Sequence, residues 1–170
     1  MMIPVLHTER LTLRGPEARD WPAFRDYFLS PRSHFTGGPY ETPKQAWTLF
    51  AAEIGHWYIH GFGMWSVDLD GTAIGLVGCW YPDGWPEREI GWLLWDGYEG
   101  QGYALEAAQA ARAQCYGPFG WDTAVSYIHR DNARSIALAE RLGCVRDTAA
   151  IHPNPDALVY RHPAPQEVAA

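Results

Sequence analysis

The sequence predicts a mixed α/β fold of about seven strands and about four helices, and three observations carry that prediction. From Phe62 the apolar residues alternate with period two, and Asp70-Gly71 interrupts them as a two-residue hairpin turn, so two neighbouring strands pair. The strand-like run from Arg88 to Trp95 leads through Glu99-Gly100-Gln101-Gly102-Tyr103-Ala104 into the helix-like run from Leu105 to Tyr116, which marks a crossover and not a hairpin. No repeat or linker divides the 170 residues, of which 47% are apolar and 19% charged. That composition and length suit one domain with its own core.

The elements follow in order. Leu11-Thr12-Leu13-Arg14 alternates as a first strand, and Gly15-Pro16 ends it. Asp20 is placed to cap a helix whose apolar residues Trp21, Phe24, Phe28 and Leu29 recur at helical spacing. Pro31 and Gly37-Gly38-Pro39 stop it and open a loop. Thr42-Pro43 reads as an N-cap with proline at the first helical position, starting a second helix through about Trp57. Met64 to Leu69 and Ala73 to Tyr81 form the hairpin, with Gly75 and Gly78 marking a twisted or closely approached backbone. After Pro82-Asp83-Gly84 come the strand Arg88 to Trp95, the glycine turn and its helix. Ala124 to Ile128 is a strand, Asn132 to Leu142 a helix closed by Gly143, and Val145 to Thr148 and Ala157 to Arg161 are closing strands. Pro163 and Pro165 begin a short tail with no pattern.

Charge and cysteine usage exclude several classes. A net charge of −7 and a pI near 5.4 argue against a nucleic-acid partner and are compatible with a cationic acceptor. Cys79, Cys115 and Cys144 lie far apart with no CxxC pair, and read as small buried hydrophobes in a reducing compartment. His56 and His60 have the spacing of a metal pair, but Trp57-Tyr58-Ile59 between them supplies no glutamate, so the HExxH pattern fails and no metal is expected. No apolar run of 18 residues exists, and Met1-Met2-Ile3-Pro4 is not followed by a signal-peptide core. A cytoplasmic protein with no membrane partner is the expectation.

The glycine turn is the most informative stretch. A chain that leaves a strand through glycines and enters a helix presents free backbone N–H groups at the positive end of the helix dipole, which suits a phosphate or pyrophosphate. The same glycines would also serve a plain tight connection. GxGxxG is absent and no Gly-Lys-Ser/Thr follows, which argues against a dinucleotide fold and excludes a P-loop.

With the element order, two signatures resemble the GNAT superfamily of acetyl-CoA-dependent N-acyltransferases. The turn Glu99 to Ala104, followed by Leu105-Glu106-Ala107, resembles its pyrophosphate motif. Asn132-Ala133-Arg134-Ser135 with Ala139-Glu140-Arg141-Leu142-Gly143-Cys144 resembles the second cofactor signature of the RimJ/RimL-type branch. The opening Thr8-Glu9-Arg10-Leu11-Thr12-Leu13-Arg14 is similar to the start of that branch. The resemblance spans about residues 7 to 162 and implies a mixed, mostly antiparallel central sheet. One position departs: Glu99 stands where the family has Gln or Arg, and a carboxylate cannot donate to phosphate. The cradle is then expected to rest on backbone amides, with the Glu99 side chain turned away.

The resemblance also implies roles. Acetyl-CoA would bind Leu93, Leu94 and Trp95 on the splayed strand, Gln101, Gly102, Tyr103 and Ala104 in the turn, and Asn132 and Ser135 on the next helix. Ser135 would protonate the departing thiolate, with Tyr127 and Tyr103 as alternative donors. Glu89 would take the proton of the amine, unless a water chain does so, and Trp80 and Trp85 would line the acceptor site. Asn132 reads as a helix N-cap in either case. The acceptor is a primary amine, on a protein N-terminus or a small molecule, and a homodimer is common in the family. A CoA-binding sensor without turnover is the alternative.

Overall fold

The structure is a computed structural model and describes residues 2–168. In chain order it runs β1 (Leu6–His7), β2 (Thr12–Arg14), α1 (Trp21–Leu29), α2 (Pro43–His60), β3 (Met64–Leu69), β4 (Thr72–Trp80), β5 (Glu89–Leu94), α3 (Tyr103–Tyr116), β6 (Val125–His129), α4 (Ala133–Arg141), β7 (Val145–Arg146), β8 (Ala157–Arg161) and α5 (Pro165–Val168). Short 3-10 turns at Ala18–Asp20 and Pro31–Phe35 flank α1. The strands form one sheet in the order β1-β2-β3-β4-β5-β6-β8-β7. Only the β5–β6 pair is parallel.

Most elements fall where the periodicity puts them, and the differences have local causes. The two-residue β1 is too short to show alternation. The second helix passes Trp57 to His60, where Gly61 takes the left-handed conformation (φ 77°) and ends it. The C-terminal tail is not patternless: Glu167 accepts the Ala164 N–H at 2.7 Å and closes the single turn of α5. The fourth helix is capped as expected, with the Asn132 side chain accepting the Ser135 N–H at 3.2 Å.

Asp20 does not cap α1 with its side chain. Its carboxylate is spent on Arg14, which donates to both oxygens at 2.8 Å, and on the Ser66 hydroxyl at 2.7 Å and the Glu17 N–H at 2.9 Å. Arg14 also donates through Nε to Asp68 at 3.0 Å, whose other oxygen accepts the Gly71 N–H at 2.7 Å. Burial disfavours the Asp20 charge, but these bonds together hold its pKa below the usual carboxylate range. The network ties β2, β3 and the entry to α1 together.

Two hydrophobic clusters pack the sheet. Ala107, Ala108, Ala111 and Cys115 let α3 lie close on β4 and β5, and belong to a cluster with Trp57, Trp65, Val77 and Ile90. Phe24, Phe28, Phe50, Leu76 and Trp95 form the other under α1 and α2. Each buried Val, Leu, Ile or Phe side chain among them contributes roughly 1.5–3 kcal/mol. A second polar cluster lies below β6. The Ser126 hydroxyl donates to the Ile90 carbonyl at 2.6 Å and meets His162 Nε2 at 3.0 Å, while Arg112 donates to the Leu142 carbonyl at 2.6 Å. Burial first, and the Arg112 charge second, push His162 down to about 3, so the ring is neutral.

The sheet opens beside β5. That strand pairs with β4 along its whole length, from Trp80↔Glu89 to Gly75↔Leu94, but pairs with β6 only at Glu89↔Val125. Gly75 is what allows the close β4–β5 approach, because a Cβ there would overlap the Leu93 carbonyl oxygen. Beyond Ile90 the two parallel strands diverge, and a cleft lies between them.

Candidate active site

The cleft has a volume of about 460 Å³. Its walls bring together seven of the sequence-predicted residues: Trp80, Trp85, Glu89, Leu93, Tyr127, Asn132 and Ser135. The loops on either side contribute Phe35, Tyr40 and Trp85. Gln101, Gly102, Tyr103 and Ala104 lie outside this cleft, at the start of α3.

Glu89 begins β5 at the base of the opening. Trp85 Nε1 donates to its Oε2 at 2.8 Å, and the Tyr127 N–H reaches Oε1 at 3.4 Å. It has no arginine partner: Arg14 is held by Asp20 and Asp68, and Arg88 lies over the Trp121 ring at 5.3 Å. Burial raises the carboxyl, the two hydrogen bonds pull it partly back, and the result is about 7. Such a group exchanges its proton at neutral pH.

Ser135 sits in the first turn of α4, and its hydroxyl oxygen accepts the Trp92 indole N–H at 3.2 Å. With one lone pair so engaged, the hydroxyl proton is left to donate elsewhere. This side-chain bond across 43 positions is invisible to a local pattern. Tyr127 is a weaker candidate acid. Its oxygen accepts the Glu87 N–H at 3.1 Å, and burial raises it to about 12. Tyr103 stacks under the Arg10 guanidinium at 4.6 Å, away from the cleft.

Strand alternation decides which backbone groups face the opening. The Trp95 N–H donates to the Ile74 carbonyl at 2.8 Å, so in this antiparallel pair residues 91, 93 and 95 turn their backbone groups toward β4. Trp92 and Leu94 therefore turn theirs toward β6, as the bond from Ser126 to the Ile90 carbonyl also shows. Leu93 reaches the cleft by its side chain alone. Trp95 points into the aromatic cluster of α1, 5.1 Å from Tyr27, and offers nothing to the opening.

The glycine turn is a braced cradle. Gly102 adopts φ 84° with no side-chain cap, and the first bond of α3 runs from the Glu106 N–H to the Gly102 carbonyl at 3.1 Å. The amides of Tyr103, Ala104 and Leu105 are thus left as donors. A Cβ at Gly102 would crowd Arg10 Nη2 at 3.3 Å. Arg10 donates to the Gln101 carbonyl at 2.9 Å and to Glu106 at 2.7 Å, and Glu106 also accepts the Arg10 N–H at 2.8 Å and the Thr8 hydroxyl at 2.5 Å. The Thr8–Arg10 loop thereby fixes the turn. Glu99 pairs with Arg32, lies 3.8 Å from Arg134 and accepts the Gly97 N–H at 2.9 Å. Its charge is compensated on the upstream side of the turn. The donors and the adjacent guanidinium fit a pyrophosphate group.

One cleft residue escaped the sequence reading. Glu53 of α2 lines the cleft and is 6% exposed. A signal existed: the buried row Ala46, Phe50, Trp57 has helical spacing, and Glu53 interrupts it. His56 in the same helix is structural. Its Nδ1 lies 2.7 Å from the Phe62 carbonyl, its Nε2 accepts the Tyr81 N–H at 2.9 Å, and its ring stacks on Trp80. With both nitrogens engaged, it has no position for a metal. All three cysteines are buried and free, and none lines the cleft. Among the described residues no helix is long and apolar enough to cross a membrane.

Comparison with known proteins agrees with this geometry. The family model described as an acetyltransferase (GNAT) domain matches residues 10–145. A solved acetyltransferase from Agrobacterium tumefaciens str. C58 is 43% identical, with a TM-score of 0.91 and 96% of each chain covered. Mycobacterium smegmatis RimJ, solved in complex with CoA-disulfide, is 17% identical, with a TM-score of 0.75 over 100% of this chain and 93% of that one. RimL, a ribosomal L7/L12 alpha-N-protein acetyltransferase solved with coenzyme A, is 19% identical, with a TM-score of 0.70 over 95% and 96%. At these identities the last two share the fold.

Proposed function

The chain belongs to the GNAT acetyltransferase family and is an N-acetyltransferase, and from that premise we propose that it transfers the acetyl group of acetyl-CoA to a primary amine by direct attack in a ternary complex. The observation that carries this reading is the divergence of β5 from β6, with Glu89 and Ser135 on the walls of one cleft. Acetyl-CoA supplies the acetyl group as an activated thioester. The chain's own residues do the rest.

The amides from Gln101 to Ala104, with Arg10 beside them, would hold the pyrophosphate, and the Trp92 and Leu94 backbone groups would hold the pantetheine arm together with Asn132. Trp95 plays no part in this scheme. Glu89 accepts the proton of the acceptor ammonium, directly or through a water, and a pKa near 7 suits that task at neutral pH. The Trp92 or Leu94 N–H faces the oxygen on which charge develops, and one such donor contributes about 3 kcal/mol. Ser135, with its oxygen engaged by Trp92, gives its proton to the departing thiolate and regains one from the nitrogen of the collapsing intermediate, directly or through a water; the thiol pKa of ~8.5 demands little help. Holding both reactants supplies much of the remaining rate. No cysteine reaches the cleft, and burial raises Cys144 to about 12, so an acyl-enzyme route lacks a thiolate nucleophile.

The acceptor is a protein N-terminal amine or a small-molecule amine, and Trp80 and Trp85 form the wall against which it lies. Three free buried cysteines suit the reducing cytoplasm. Thermal shift with acetyl-CoA and thiol release across an amine panel test the reading together. Saturating acetyl-CoA should raise Tm, because a ligand of the native state must stabilise it. An unchanged Tm would contradict the proposal.

A further inference from the structure

Glu53 is a cleft-lining carboxyl that the scheme above does not use. It occupies a position in α2 whose row-mates Ala46, Phe50 and Trp57 are all buried and apolar. Its Oε2 is sealed from solvent and has no hydrogen-bond partner. The cleft residues Phe28, Tyr40, Leu49, Met64 and Trp80 are apolar or aromatic, and no lysine or arginine lines the cleft among the described residues. A buried carboxyl without a donor is costly, and a leucine in the same row would cost nothing of the kind. Packing therefore does not account for it, whereas a ligand that carries a donor into the cleft does.

The chemistry of that ligand follows from the walls. Two carboxyls, Glu53 and Glu89, face one cleft, and aromatic rings at Tyr40 and Trp80 accompany them. Aromatic faces attract cations, and carboxylates pair with them. We propose that Glu53 determines acceptor specificity by binding a second cationic group, so that the preferred acceptor is diamine-like, with its reactive amine at Glu89 and its other ammonium at Glu53. The inference rests on the amine-acetylation reading and narrows it. Burial, reinforced by the Glu89 charge, raises Glu53 to about 8, so without a cation beside it the group is largely protonated at neutral pH. An ammonium beside Glu53 removes the reason for that protonation.

The test compares 1,4-diaminobutane and 1,5-diaminopentane with butylamine and pentylamine on the full chain. In the wild type the diamines should exceed the matched monoamines at least about tenfold in kcat/KM, in line with the loss of one charged hydrogen bond. Glu53→Gln should bring that ratio to within about twofold by raising diamine KM, with kcat and the acetyl-CoA Kd little changed. In a non-reacting complex with CoA, the diamines should raise the Tm of the wild type and not of Glu53→Gln, a readout that needs no turnover. Without acceptor, Glu53→Gln and Glu53→Leu should be at least as stable as the wild type. A preference that survives Glu53→Gln, equal use of diamines and monoamines by the wild type, or no diamine stabilisation beside CoA would overturn the role of Glu53. So would a loss of Tm in both variants, which would mark Glu53 as structural. Failure of acetyl-CoA itself to stabilise the protein would instead remove the acetyltransferase reading, and this proposal with it.

Discussion

Two acidic clusters in this chain are built on opposite terms. Near the N-terminal edge of the sheet, Asp20 and Asp68 surround Arg14, and all four carboxylate oxygens accept a hydrogen bond. In the cleft between β5 and β6, Glu89 has two donors and no cation, and Glu53 has an oxygen with no partner at all. The first cluster keeps its charges, as the lowered pKa of Asp20 shows, while the second is pushed toward protonation. Polar groups satisfied within the fold stabilise it, and polar groups left wanting a partner are available to a ligand. The contrast separates the residues that hold this enzyme together from those the proposed mechanism employs.

The largest expected effect breaks the satisfied side. Arg14→Ala leaves two carboxylates buried without their cation and should lower stability by about 3–5 kcal/mol in urea unfolding. Because Asp20 titrates below its unfolded pKa, its contribution is complete above about pH 4 and is lost as pH falls through the folded value. On the cleft side, Glu89→Gln should slow acetyl transfer by about a hundredfold while leaving Tm within a few degrees. His162 sharpens the comparison as a satisfied group that acid turns against the fold. Its pKa is depressed to about 3, so stability is complete above about pH 6.5 and should fall by roughly 1.4 kcal/mol per pH unit below it. His162→Gln should flatten that slope. Ser135→Ala should cost about tenfold in rate, with acetyl-CoA affinity nearly unchanged. The smallest effect has the opposite sign: Glu53→Leu should raise unfolding stability by about 1 kcal/mol, since it removes an unpaired buried carboxyl.

Much of the fold was legible because it is encoded locally. The Asp70-Gly71 turn, the Thr42-Pro43 start and the Asn132 cap each specify a boundary within four residues, and the glycine turn announces both a crossover and a set of free amides. Glu89, Ser135 and Asn132 were named from the family resemblance, and all three line one cleft. What escaped is held together across long stretches of chain. Arg10 reaches Glu106 over 96 positions, Trp92 reaches Ser135 over 43, and Asp20 abandons its cap to serve Arg14 and Ser66. Glu53 was readable only as a flaw in an apolar stripe, and a lone glutamate in a helix ordinarily reads as a solvated face. The resemblance set Leu93, Leu94 and Trp95 against the cofactor, and the pairing with β4 instead turns the Leu93 and Trp95 backbone away from the opening.

The account stands most directly on the pH dependence of kcat/KM for an amine that the wild type acetylates. Glu89 acts as a base only when deprotonated, so kcat/KM should rise with pH and level off above about 7, and Glu89→Gln should lose that rising limb. A Glu89→Gln enzyme that kept the wild-type limb near pH 7 would contradict the assignment of the cleft carboxyl as the base.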